Sequence, residues 1–237
     1  MTTHPGDSDV AAAPRLAVLA NLQAQFLATI PEVDPTTRVP WCGRWRVEDL
    51  VVHVARIHHW AAGQARREQE TPLGRGPFVL EDLYRECAAE LLDTLTDLGP
   101  DAPSWTLNGP GPASFWRRRQ VHETLVHLWD LRTAAGLDLV VDASVWADTV
   151  DEVATVMQPR QVRLGRIPRL PSPIALVAED VGRCWVLDSA DGGAPPVTAT
   201  GTAQSLALLL WRRPADEPGV SGDRRVLDEA LALGLTP

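Results

Sequence analysis

The chain is poor in cysteine. Cys42, Cys87 and Cys184 lie far apart among 237 residues and form no CxxC pair. That spacing supports neither a disulfide framework nor a zinc knuckle, and a buried structural role is the ordinary one for such residues. Long apolar runs are missing as well: nothing approaches the ~18 consecutive residues of a membrane span. The opening MTTHPGDSDV has neither the basic region nor the apolar core of a signal peptide, so a cytoplasmic protein is expected. There is no excess of positive charge. The net charge of −9 argues against nonspecific attraction to nucleic acid or anionic lipid and mainly signals solubility. Tyr occurs once and Phe three times, whereas Trp occurs nine times, so any pocket lined by large aromatics is lined by indoles. Finally, the chain has no GxSxG elbow, no P-loop and no GxGxxG, which leaves those enzyme classes without a foothold.

What is present is a hydrophobic content of 45%, ordinary for a globular chain of one large or two small domains. After a fraying tail (1–12), helical periodicity runs from Pro14 to Ile30 through Leu16, Leu19, Leu22 and Phe26. It stops near Pro31. A second helix begins near Val47, and a third covers Val79 to Leu98. The Pro- and Gly-rich segment 99–114 reads as a long connection. A fourth helix follows, with Gly136 as its stop. These helices suggest an up-and-down bundle, an architecture that commonly builds sites in its core from facing helices. A fifth helix is expected from Ala143 to Met157. The basic, proline-punctuated run 159–173 reads as a linker. Short strands at 174–180, 184–189 and 196–201, a helix just after Gly201 and a terminal helix then indicate a small α+β domain. The expected division is therefore 1–158 for the bundle and 174–237 for the α+β domain.

The fourth helix, Arg117 to Ala135, carries the chemistry. Glu123, His127 and Asp130 share one face, while Val121, Leu125, Val126, Leu128, Trp129 and Leu131 cover most of the rest. A helix apolar nearly all round is normally buried. The ionisable stripe then needs partners, because an unpaired buried charge is costly. Glu123 and His127 have metal-ligand spacing. Alone, such a pair is more often a hydrogen-bonded surface pair. On the second helix His53 sits amid Leu50, Ile57 and Trp60, within roughly 60° of each at 3.6 residues per turn. A lone histidine there is more often a satisfied core residue than a ligand. Two such faces are easier to explain if they meet. Asp49, one turn before His53, is a candidate to orient its imidazole. Asp130 is either an acceptor behind a metal ligand or a salt-bridge partner of Arg132 or Arg117. His122 and Glu123 do not make an HExxH motif, because His122 and His127 are five residues apart and point about 140° away from each other.

The helix HETLVHLWDL, the upstream WRVEDLVVHVARIHHW and the later VTATGTAQSLALLLWRR with GDRRVL resemble the actinobacterial maleylpyruvate isomerase family. The resemblance runs from about Leu16 to Leu235. It implies a DinB-like four-helix bundle followed by a small, sterol-carrier-like α+β domain. It also implies dependence on mycothiol and a divalent metal, zinc first among the candidates, held by His53, Glu123 and His127. An arginine of the C-terminal domain is implied near the site; Arg212 and Arg213 are the nearest candidates, and both also suit a plain role as cations at a helix C-terminus. In the family's reaction a thiolate adds to an activated cis double bond, the adduct rotates, and elimination returns the trans isomer. The same activation serves S-conjugation of small electrophiles.

The leading reading is thus a metal-dependent thiol enzyme, isomerase or S-transferase, acting on a small molecule. Two others stand beside it. One is a biosynthetic or hydrolytic metal enzyme that uses no thiol. The other is a non-catalytic carrier of an apolar ligand, in which the polar stripe is structural. Homodimerisation is an option that base rates leave open.

Overall fold

The structure is a computed structural model that describes residues 12–187, 189–190, 193–214 and 216–237. The expected N-terminal tail falls almost wholly outside these residues. The chain divides into two compact units, the first ending at Leu139 and the second formed by Val140–Pro237.

The first unit is helical. Helices α1 (Ala12–Thr29), α2 (Val47–Arg66), α3 (Leu80–Asp97) and α4 (Ser114–Ala134) pack together, α1 and α2 each against both α3 and α4. Leu19, Leu22 and Phe26 of α1 recur at helical spacing and are buried. Phe26 stacks on Tyr84 of α3 with ring centroids 4.4 Å apart. On α2 the core face carries Leu50, Val54, Ala61 and Ala65, whose small members allow close approach. Helix α4 is buried at every position from Gln120 to Leu128, and there Gln120, His122 and Thr124 are buried polar residues beside Glu123 and His127, so more than the one expected polar stripe is buried.

The 99–114 segment is more than a connection. It holds a hairpin, β1 (Pro103–Thr106) paired antiparallel with β2 (Gly109–Pro112). Proline at three strand positions hides it from a periodicity reading, since Pro is normally kept to edges. The hairpin is fixed to α4 by the Trp116 indole, which donates to the Trp105 carbonyl at 2.6 Å.

The second unit is α+β, as expected. Its sheet has the order β4-β3-β5-β6, with β3 (Ile174–Ala178), β4 (Arg183–Leu187), β5 (Val197–Gly201) and β6 (Gly219–Gly222). β3 pairs parallel with β5, and the other pairs are antiparallel. Ile174, Leu176 and Ala178 alternate toward the buried face, as a one-sided sheet demands. Glycine-rich β6 has no such alternation, so its sequence carries no strand signal. Helices α7 (Ala203–Leu210) and α8 (Arg224–Ala232) complete the unit.

Two boundaries differ from the sequence reading. Helix α5 (Ala143–Glu152), a π turn (Val153–Met157) and α6 (Gln158–Arg163) lie in the second unit, where α5 packs on α7. The 159–173 run begins inside α6, and its Ile167 and Leu170 are buried. Leu170 also bridges to Ser189. Isolated apolar anchors of this kind carry no period, so the segment reads as a linker in sequence although it packs.

Buried polar groups in the bundle make its stability depend on pH. His58 is fully buried and shares a 2.9 Å hydrogen bond with Gln120. Burial pushes its pKa down to about 4, against the pull of Gln120 and Glu123. The unfolded chain therefore binds a proton at His58 that the folded chain refuses between pH 6.5 and 4. The stability held above pH 6.5 is accordingly lost as pH falls through that window, by up to about 3 kcal/mol. Urea unfolding across the window should show this loss in the wild type and a shallower one in His58→Gln. Equal slopes would contradict it.

Candidate metal centre

Helices α2 and α4 bring three donor side chains together. Glu123 Oε1 lies 3.3 Å from His53 Nε2 and 3.4 Å from His127 Nε2. One ligand atom from each residue falls within 4.8 Å of the others. His53 and His127 meet edge to face with centroids 5.1 Å apart. The three residues expected from sequence thus converge. His53 is not in the middle of a buried face, however. Its side chain is 29% exposed, against 9% for Glu123 and 7% for His127, so the cluster opens on the His53 side.

Each donor is set by a neighbour. Asp130, fully buried, accepts from His127 Nδ1 at 2.9 Å, which leaves Nε2 aimed at Glu123. Asp130 is in turn held by the Trp41 indole at 2.7 Å and by the Cys42 thiol at 3.5 Å. Asp130 thus accepts from the imidazole of His127. Arg117 instead binds the Leu95 and Leu98 carbonyls, and Arg132 that of Asp138. Arg119, one turn before Glu123 on α4, donates to Glu123 Oε2 and leaves Oε1 to the imidazoles. The Trp45 indole lies 4.7 Å from the His53 ring and 6.4 Å from that of His127.

Asp49 does not orient His53. Its carboxylate accepts from the Arg46 backbone N–H at 2.9 Å and caps the start of α2. An acidic residue at the third helical position satisfies an orphan amide there, and that local demand prevails. Arg212 and Arg213 belong to the second unit, just past the end of α7. Their backbone amides close it on the Leu209 and Leu208 carbonyls, with Arg212 in the left-handed region at φ 59°.

Sequence reasoning missed Arg119, although an Arg four residues before Glu123 was a visible signal. Trp41, Cys42 and Trp45 come from an irregular loop, where spacing gives no guide to direction.

The electrostatics follow from burial and these contacts. Burial opposes the charge of Glu123, but Arg119, His127 and His53 outweigh it and hold the carboxyl well below the usual range. Burial likewise opposes protonation of His127, yet Asp130 and Glu123 hold its pKa at about 9. As an imidazolium it donates to both carboxylates. As the neutral Nδ1–H tautomer it keeps Asp130 and offers an Nε2 lone pair beside Glu123 Oε1 and His53 Nε2.

The donor set fits a metal. Two imidazoles and one carboxylate suit zinc, and bonds of about 2.0–2.2 Å in a tetrahedron give ligand–ligand edges of about 3.3–3.6 Å. The observed 3.3 and 3.4 Å match that edge.

With this geometry, the likeness to known proteins is informative. Residues 16–132 match the family of the mycothiol maleylpyruvate isomerase N-terminal domain. Residues 16–132, just under half of the chain, thus carry a domain of that family. Two solved structures have the same fold along nearly the whole length: a mycothiol-dependent maleylpyruvate isomerase at 18% identity and a histidine-to-alanine mutant of such an enzyme at 17%. Each covers 94% of this chain and 97% of its own, with a TM-score of 0.67. No curated protein sequence matches this chain. All three candidate ligands lie within or beside the stretches that carried the family resemblance, and His53, Glu123 and His127 fall inside the matched domain.

The Arg119–Glu123 pair is buried on both sides, so removing the cation strands a charge. Arg119→Met should lower unfolding stability by about 3–5 kcal/mol at neutral pH. A loss below about 1 kcal/mol in urea titrations would show that the pair does not hold Glu123.

Proposed function

We propose that this protein is a divalent-metal enzyme of the maleylpyruvate isomerase type. It uses mycothiol, or another low-molecular-weight thiol, to isomerise a small electrophilic substrate. The observation that carries this reading is the position of Glu123 Oε1, 3.3 and 3.4 Å from two imidazole nitrogens, inside a domain of the mycothiol maleylpyruvate isomerase family. His53, Glu123 and His127 would hold the ion; three protein donors leave a further position open, the mark of a catalytic rather than a closed structural site. A divalent ion there would favour the deprotonated form of an entering thiol, and thiolate is the nucleophile.

The chain's own residues prepare that setting. Asp130 keeps the His127 proton on Nδ1, so that Nε2 is the free donor. Arg119 occupies Oε2 of Glu123 and fixes which oxygen faces the histidines. The buried walls at Glu123 and His127 exclude water, whereas the part-exposed His53 edge gives entry. Trp45 packs against the His53 ring, with centroids 4.7 Å apart. Zinc suits the donors best, and nickel, cobalt or manganese would compete according to availability. Among the described residues no helix is long and apolar enough to cross a membrane.

Two tests follow. Purified protein given maleylpyruvate and a substoichiometric amount of mycothiol should turn over many substrates per thiol. Consumption of the thiol one for one would instead identify an S-transferase, and equal rates without thiol would overturn thiol dependence. Separately, Asp130→Asn should weaken metal binding by about 10–100-fold, as loss of an acceptor behind a ligating histidine does. Unchanged affinity would remove Asp130 from the account.

A further inference from the structure

Beside the three donors just described lies a second set that shares one of them. Cys42, Asp130 and His127 each offer a ligand atom, and these atoms lie within 4.8 Å of one another. Cys42 Sγ is 3.5 Å from Asp130 Oδ2, and the same oxygen is 2.9 Å from His127 Nδ1. Zn–S and Zn–O bonds of about 2.3 and 2.0 Å at a tetrahedral angle make an edge of about 3.5 Å. The sulfur and the carboxylate oxygen therefore already stand at a coordination spacing. Asp130 is fully buried and anchored through its other oxygen by the Trp41 indole at 2.7 Å, so one oxygen is held in place toward the cysteine. Cys42 itself is half-buried in the tight turn that precedes α2, where its amide bonds to the Val39 carbonyl and its carbonyl to the Trp45 amide.

We propose that Cys42, Asp130 and Nδ1 of His127 form a second, thiophilic metal seat that competes with the His53–Glu123–His127 seat for a single imidazole. A neutral imidazole has one lone pair. With its proton on Nδ1 the ring bonds to Asp130 and serves the first seat through Nε2. With its proton on Nε2 the ring donates to Glu123 Oε1, and the Nδ1 lone pair serves the second. In zinc-loaded protein, filling the second seat frees the zinc ion, releases the thiol proton to solvent and moves the imidazole proton from Nδ1 to Nε2; the entering ion's two positive charges balance one thiolate and one carboxylate. Soft ions prefer the thiolate seat, and harder ones the seat with carboxylate and imidazoles alone. Excess thiophilic metal then inactivates the enzyme by capturing His127, without any reaction at the open coordination position.

Cadmium is the probe, because its thiolate complexes absorb in the ultraviolet. The titration uses full-length protein in a Cys184→Ser background, since Cys184 is the exposed thiol. The expected result is a cadmium–thiolate band that persists when His53→Ala is added and is lost when Cys42→Ser is added. In zinc-loaded protein the band should grow as zinc is released, one ion for one. No band, a band that survives Cys42→Ser, or cadmium binding at Cys42 with full retention of zinc would each overturn the proposal. The His53→Ala arm separates the two readings: it dismantles the first seat alone, so the band there reports on the second seat even if the function proposed above fails.

Discussion

The charge of Glu123, buried between two helices, is the constraint on which the rest of this site depends. A lone carboxylate there would be expelled or protonated, because the desolvation cost far exceeds what packing returns. The chain answers with cations and donors on every side: Arg119 on one oxygen, His53 and His127 on the other. That answer fixes the spacing of α2 and α4 at the point where chemistry is proposed.

The second carboxylate, Asp130, gives the arrangement its direction. A histidine between two carboxylates has two competing hydrogen bonds, and the shorter one, from Nδ1 to Asp130, decides which nitrogen is left for other work. The loop before α2 takes part in that choice through Trp41 and Cys42. A turn that periodicity analysis treats as a mere connection is thus part of the support for a helix far away in sequence. This coupling is also why one imidazole can be contested by two metal seats.

Much of this was legible in the sequence. The helices of the bundle follow from the 3.6-residue period, and the α+β character of the second unit from short strands followed by helices. His53, Glu123 and His127 stood out as ionisable groups on apolar faces, and the family resemblance joined them into one ligand set. What escaped was set by irregular backbone or by local competition. The β1–β2 hairpin is built from prolines and glycines that erase a strand period. Asp49 was drawn to the nearest orphan amide rather than to His53. Ile167 and Leu170 pack as single anchors in a run that reads as a linker. The exposure of His53 reflects the edge of a helix face, a matter of tens of degrees that spacing alone does not resolve.

The central claim is that Glu123 and its two imidazoles hold a metal ion. Metal content by mass spectrometry, on untagged wild type and His127→Ala prepared side by side and reconstituted with zinc, addresses it most directly. The account predicts close to one equivalent in the wild type and its loss in the variant. No metal in either protein would contradict it, and the buried stripe would then be a structural ion network rather than a metal centre.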